Sequence, residues 1–440
     1  MQSRFSVVTS IVIAMLIASL DTTIMNTTLP VIVKELGDFK LYAWVFASYM
    51  IISTVTSPIY GRLADIYGRK RIFAISVVLF MIGSLLSGWS RSMVQLILFR
   101  AIQGIGAGGI LPLAVIIAGD LYSVEQRGKI QALFTGMWGL AAVLGPMLGS
   151  VLVEYATWRW IFYINIPLGI IVLLLLIRFK EEFKGHKTPV DYWGALIFTI
   201  SISLLLLVTI VTTNQMMWFI AGLVLLFLFI RFEQKQKDPL IPLSLFKNRT
   251  VSAIIINTFL ACTALFGTSS YVPLFLQKVA GESIYQSGLV LVGTAIGWMA
   301  AAVPAGKWII RMGGRLPLII GNASLVLSGI MLLFLNNGTG FWYVFLIMIV
   351  QGYAFGLLLT VSIILCQQLV RPEEKGVSTS LQMFARNMGT AIGVTIMGSL
   401  LNHGASILIG IQHLFEYGCI LSVIAFISAL LIQERKKLIM

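Results

Sequence analysis

The chain has 440 residues, of which 58% are hydrophobic and only 11% charged, and it carries a formal net charge of +14. A soluble domain carries about 25% charged residues. The composition therefore excludes an ordinary soluble enzyme or binding module and points to an all-α polytopic membrane protein.

A spanning helix takes about 20 mostly apolar residues. Fourteen segments qualify as candidates: 6–29, 42–60, 72–90, 93–118, 130–153, 160–178, 192–211, 217–231, 251–275, 284–305, 317–335, 341–365, 378–401 and 412–432. The first runs too long for a cleavable signal and ends in Asn26-Thr27-Thr28-Leu29-Pro30 rather than at a small-residue cleavage site. Asp21 is the sole charge between Phe5 and Leu29. A carboxylate at the membrane interior costs roughly 2.5–3.5 kcal/mol on insertion scales, and its usual roles are proton relay or cation binding. Counting from Phe5, it lies about 24 Å from the cytoplasmic end, in the external half of the membrane.

With the N-terminus in the cytoplasm, 24 of the 31 Lys and Arg fall in cytoplasmic segments. Five are external (Lys34, Lys40, Arg91, Arg159 and Lys278), and Arg100 and Arg386 lie inside spans. This bias places both termini in the cytoplasm and supports an even number of spans. The basic excess is a matter of topology, with no nucleic-acid partner.

The second span is followed by Gly61-Arg62-Leu63-Ala64-Asp65-Ile66-Tyr67-Gly68-Arg69-Lys70-Arg71. Gly61 and Gly68 permit tight turns and close backbone approach, and Asp65 can pair with Arg69 or accept from a helix N-terminus. In the fourth span Arg100 and Gln103 share a helix face, while Gly104 and Gly108 give a surface for close helix contact. Taken alone, Arg100 reads as an arginine that can snorkel outward. The fifth span carries Trp138, a small-residue stripe of Ala141, Gly145 and Gly149, and a kink candidate at Pro146. Glu154 ends that span, as a buried second proton site or as an external-interface glutamate. Trp158-Arg159-Trp160 then reads as an aromatic belt with an external arginine.

Spans seven and eight form an inserted pair, followed by a charged linker, Arg231 to Arg249, with Pro239 and Pro242. Beyond it the chain repeats itself. Gly306-Lys307-Trp308-Ile309-Ile310-Arg311-Met312-Gly313 echoes the Gly61 phrase with Ile310 in place of the acid, and Gln351-Gly352 with Gly356 echoes Gln103-Gly104 with Gly108. Transporters are commonly built from such repeats, with the substrate site near the midplane. The implied organisation is a six-helix bundle over 1–180, an inserted pair with linker over 181–249 and a second six-helix bundle over 250–440. The second half has no clear intramembrane acid; its thirteenth span instead has Arg386-Asn387 with Gly389 and Gly393. Arg386 either meets the cytoplasmic surface or faces a cavity. The three cysteines and three histidines have no metal-ligand spacing.

These phrases together resemble the major facilitator superfamily, and within it the fourteen-helix drug:proton antiporter branch. The Gly61–Arg71 phrase matches the superfamily loop between helices two and three, which latches the two halves on the cytoplasmic side. The Gly145-Pro146-Met147-Leu148-Gly149 phrase resembles the antiporter motif. The resemblance implies proton-driven export of lipophilic, cationic drugs by alternating access, with Asp21, Arg100 and Glu154 coupling protons. Substrate would meet Asp21, Met25, Gln103, Trp138, Phe259, Phe266 and Tyr353. Gating would fall to Gly61, Asp65, Gly68, Arg69, Gly145, Pro146 and Gly149. It further implies a monomer in a bacterial cell membrane, with small lipophilic substrates, protons and the lipid bilayer as partners and no cofactor besides the coupling proton. The alternative is a carrier for one metabolite, such as a peptide, a siderophore or a lipid precursor. An enzyme or a receptor is a third class, and no nucleophile–base or metal constellation in the spans supports an enzyme.

Overall fold

The computed structural model describes residues 2–37, 41–177, 181, 191–208, 211, 213–236, 239–241, 244–282, 284–336, 338–402 and 407–432. Pro242 of the linker, His186, His403 and the side chain of Pro146 lie outside the described residues. The described chain is helical throughout, without a strand. In the first half lie α1 (Gln2–Leu36), α2 (Tyr42–Tyr67), α3 (Arg69–Gly88), α4 (Met93–Leu121), α5 (Val124–Tyr155), α6 (Trp160–Tyr163) and α7 (Asn165–Ile177). The pair α8 (Tyr192–Leu207) and α9 (Gln215–Glu233) follows, then α10 (Ser244–Lys247). The remainder comprises α11 (Arg249–Lys278), α12 (Ile284–Met312), α13 (Arg315–Leu333), α14 (Phe341–Gln368), α15 (Lys375–Asn402) and α16 (Ile407–Leu430).

Ten of the described helical segments, with α6 and α7 taken together, are long and apolar enough to cross a membrane. This is fewer than the fourteen spans expected. The α8 helix is apolar but has only 16 residues. The helices α2, α5 and α15 also have the length, and each carries several serine, threonine and glycine residues. Such residues suit helices that pack on protein rather than on lipid.

Local chemistry sets several boundaries. Asn248 caps α11, its Oδ1 accepting from the amides of Thr250 and Val251 at 3.1 and 3.4 Å. Asp191 caps α8 through the Gly194 amide at 2.8 Å. Gly68 separates α2 from α3 at φ +94°, and Gly313 stands between α12 and α13 at φ +79°. They are equivalent glycines of the repeated phrase, each seven residues after its first glycine, at a dihedral that a side chain strains.

The chain forms two compact units. One comprises 1–121, 137–243 and 372–380; the other comprises 122–136, 244–371 and 381–440. The first unit takes in the inserted pair and the opening residues of α15, and the second takes in α5 up to residue 136. In the first unit, a Cβ at Gly104 would stand 2.8 Å from the Tyr49 carbonyl and one at Gly108 2.6 Å from that of Ser53. In the second, Gly352 and Gly356 abut the carbonyls of Thr294 and Trp298 in the same way. Both copies thus press α4 onto α2, and α14 onto α12, backbone to backbone at equivalent glycines.

Gly104→Ala and Gly352→Ala are each expected to cost about 1–3 kcal/mol, the usual penalty of overpacking. Gly139, whose Cβ would meet nothing within 4 Å, is the control. Thermal unfolding in detergent should show a lowered midpoint for the first two variants and an unchanged one for Gly139→Ala.

Candidate functional site

Five helices of the first unit converge on one carboxylate. Arg100 on α4 donates from Nη1 to Asp21 Oδ2 at 2.6 Å, and its side chain is completely buried. The same nitrogen donates to Gln103 Oε1 at 2.7 Å. Gln103 Nε2 donates in turn to Asp21 Oδ1 at 2.8 Å. From α7, Asn165 Nδ2 donates to Asp21 Oδ1 at 3.3 Å and to Ser84 Oγ on α3 at 2.8 Å. Tyr49 on α2 lays its ring 4.2 Å from the Arg100 guanidinium carbon. The remaining guanidinium nitrogens, Nε and Nη2, have no hydrogen-bond partner, so the ring face provides the contact on that side.

Arg100 is therefore an inward-turned partner of Asp21 rather than a snorkelling side chain. Asp21, also expected to meet a substrate cation, is buried here and accepts from protein donors at both oxygens. Sequence reading missed Asn165, Ser84 and Tyr49 as members of the site. Asn165 was visible as an amide opening the apolar run of α7; nothing local distinguished Ser84.

The other expected residues scatter. Glu154 is exposed near the end of α5 and has no bond to this cluster. Met25 is 1% exposed within the core of the first unit, so it packs rather than lining a cavity. Trp138 is part-exposed on α5. Phe259, Phe266 and Tyr353 belong to the second unit. Phe259 is part-exposed, and its carbonyl abuts Gly389. Phe266 meets Phe355 edge-on at 4.8 Å, and Phe355 meets Trp298 at 4.0 Å, which makes this aromatic group packing. Tyr353 rests against the same core. Gly145 is where α5 touches α1, its missing Cβ leaving room for Thr23, whose hydroxyl bonds the Ala141 carbonyl at 2.9 Å. Gly149 is buried one turn on.

The Gly61–Arg69 phrase holds the start of α15. Asp65 Oδ1 and Oδ2 accept from the amides of Gly376 and Val377 at 3.1 and 3.0 Å, a carboxylate at a helix N-terminus. Arg69 pairs with Asp65 at 3.1 Å and with Asp120 at 3.4 Å. Gly61 abuts the Gly376 carbonyl and the Ser380 side chain. Glu181 accepts from the Arg69 and Lys70 amides at 2.7 and 3.0 Å, capping α3 across Gly68. Burial pushes the Asp65 carboxyl up to about 7, against the pull of Arg69 and the two amides. In the second copy Gly306 abuts the carbonyls of Val124 and Glu125, while Ile310 is exposed. At the start of α6, the expected aromatic belt has a partner that the sequence did not reveal. Glu35 accepts from Arg159 Nη1 at 2.7 Å and from Trp158 Nε1 at 2.8 Å. The Arg159 hydrogen bond holds the Glu35 carboxyl below the usual carboxylate range.

The second unit repeats the central arrangement without charge. Gln351 Nε2 donates to Thr268 Oγ1 at 2.7 Å, where Gln103 donates to Asp21. Three residues before each glutamine stand Met348 and Arg100 respectively, both fully buried. Acid and arginine are thus replaced as a pair.

The described chain thus consists of two units of apolar helices, the first with a buried ion pair inside it, and this is the make-up of a multi-pass membrane protein. The sequence model of the Major Facilitator Superfamily matches residues 11–394 and 254–437, and the chain belongs to that family. It is 33% identical to the multidrug transporter protein MdtP of Bacillus subtilis over 91% of this chain and 75% of that protein. It is 34% identical to multidrug resistance protein 3 of the same organism, over 90% and 79% respectively. The fold matches that of the human organic anion transporter MFSD10 at a TM-score of 0.73 and 17% identity, over 96% of this chain and 99% of the other. The proton:xylose symporter XylE matches at 0.66 and 16% identity, over 96% and 94%. The chain is accordingly a transporter rather than an enzyme, and it needs no cofactor.

Removing Arg100 alone, as Arg100→Met, should cost about 3–5 kcal/mol by stranding the Asp21 charge. The double variant Asp21→Thr with Arg100→Met copies the second unit and should recover most of that loss, read as the unfolding midpoint of each purified protein. A second test concerns Asp65. Its folded value is raised, so its contribution to stability is full below the ordinary value of 3.8 and is lost as pH rises to about 7. Relative to Asp65→Asn, the wild-type midpoint should fall across that window and run level above it.

Proposed function

We propose that the chain is a proton-coupled antiporter that exports lipophilic compounds by alternating access, in the fourteen-helix arrangement of two six-helix bundles and an inserted pair. The observation that carries the reading is the Asp21–Arg100 pair, buried in a helix apolar enough to span and held by Gln103 and Asn165. A carboxylate there can take up a proton and release Arg100, and an intramembrane ionisable residue is a functional group by default. Two relatives at 33% and 34% identity carry multidrug names, which supports drugs as cargo. Support for the helix count comes from α1 to α16, which fall on all fourteen apolar segments once α6 and α7 are joined and the short α10 is set aside.

In this reading the proton neutralises Asp21 from the external side, and the freed arginine changes the polarity of the site. The membrane potential supplies about 2.3 kcal/mol per charge per 100 mV. The Gly61–Arg69 segment serves as the gate, since Asp65 grips the start of α15 through two backbone amides. Bacterial plasma membrane, with both termini cytoplasmic, is the matching location.

The test is uphill accumulation of a panel of lipophilic dyes in proteoliposomes under an imposed pH gradient. Wild type should accumulate several dyes and carry protons in the opposite direction, and Asp21→Asn should abolish both. Persistence of both at wild-type rates in a well-folded Asp21→Asn protein would falsify the coupling role. Export of no dye, with uptake or release of one metabolite, would favour the single-substrate carrier.

A further inference from the structure

Arg386 is a membrane-embedded charge that proton coupling at Asp21 leaves unused. It is the twelfth residue of α15, about 17 Å along the helix at 1.5 Å per residue, and it is part-exposed. Among the described residues no carboxylate pairs with it. Its side chain makes one long contact, from Nε to Asn387 Oδ1 at 3.4 Å. The described acids of its unit stand elsewhere: Glu125 in the first turn of α5, Glu282 past the end of α11, and Glu416 on an exposed face of α16. Arg100 has Asp21 at 2.6 Å; Arg386 has no such counterpart.

The guanidinium is turned into the protein rather than toward lipid. It lies within electrostatic reach of the Cys262 thiol, which is 2% exposed. Gly389 and Gly393 bring α15 against the carbonyls of Phe259 and Thr263 on the same helix α11. One turn before Arg386, on the same face, Gln382 is fully buried, and neither its Nε2 nor its Oε1 has a hydrogen-bond partner. The buried hydroxyl of Thr258, one turn before Cys262, also lacks a partner. An uncompensated cation and an orphaned amide both disfavour the unliganded site. A ligand presenting two acceptor oxygens satisfies both donors, and a guanidinium binds a carboxylate through charge-assisted, often bidentate hydrogen bonds that a neutral acceptor does not match.

We propose that Arg386 and Gln382 form a carboxylate-binding subsite in the second unit, so that the cargo includes lipophilic anions and zwitterions. The proposal rests on the export reading for its cargo and replaces the cationic preference that Asp21 suggested. It assigns recognition of negative charge to the unit that lacks a buried ion pair of its own.

The experiment compares three fluorescent probes on the purified full-length protein in detergent: pyrenebutanoate, its uncharged primary amide, and pyrenebutylamine. Wild type should bind the carboxylate about tenfold more tightly than the amide, and the amine least. Arg386→Gln should bring the carboxylate-to-amide ratio to about one, and Gln382→Leu should lower it about two- to threefold. Arg386→Lys keeps the charge and should retain part of the preference, so it carries the test if Arg386→Gln does not purify as a single species. Equal binding of all three probes by wild type, or a preference that survives loss of the arginine, overturns the proposal. Suppression of the preference by added phosphatidylglycerol assigns the site to a lipid headgroup and overturns it as well. Proton-driven export of the amide by wild-type proteoliposomes tests the export reading separately. Its absence beside an intact carboxylate preference would refute export alone, and its presence without that preference would refute the subsite alone.

Discussion

The hydrogen-bonded ion pair between Asp21 and Arg100 is the constraint around which the first unit is arranged. Either charge alone inside the membrane costs roughly 2.5–3.5 kcal/mol or more, and neither reaches water here, with side-chain exposures of 2% and 0%. Pairing alone does not balance two desolvated ions unless their remaining hydrogen-bonding capacity is also met. The neighbours follow from that requirement. Gln103 bonds both partners, Asn165 adds a donor to the carboxylate, and the Tyr49 ring covers guanidinium nitrogens that have no acceptor. Glycines at 104 and 108 let α4 approach α2 closely enough for that ring to reach.

The internal repeat separates scaffold from charge. Both units use the same glycine-to-carbonyl contacts and the same glutamine, yet one holds an acid and an arginine where the other holds Thr268 and Met348. Helix packing in lipid depends on small residues and close backbones, which both copies keep. The helix packing is therefore compatible with either content, and the acid and arginine are present or absent together because half a pair is the costly state. The second unit is not free of charge, however. Arg386 stands without an acid, and that imbalance underlies the proposed recognition of carboxylates.

Outside the hydrocarbon, charges organise helix ends. Glu35 ties α1 to Trp158 and Arg159, whose guanidinium also lies 4.3 Å over the Trp158 ring. Asp65 and Glu181 each place a carboxylate on a helix N-terminus, where two amides await acceptors. Gly61 and Gly68 serve distinct needs within one phrase: the first admits the start of α15, and the second makes a turn at positive φ.

Much of this was legible in the sequence, because apolar runs, turn glycines and a charge inside such a run are local facts. Asp21 and Arg100 were singled out for proton coupling and Gln103 as a substrate contact, and the repeat was visible in the matched Gln-Gly and Gly-Arg phrases. Partnership was not legible in the same way. Asn165 reaches Asp21 across 144 residues, and Asp65 finds its amides 311 residues away. Glu154 and Met25 looked as suitable as Gln103, yet one is exposed and the other lies in the core. Sequence determined which residues bear charge and which helices they ride on, since helix formation in lipid follows from composition over about twenty residues. Tertiary structure alone decided which of those charges meet, because meeting depends on helix rotation and the close packing of distant segments.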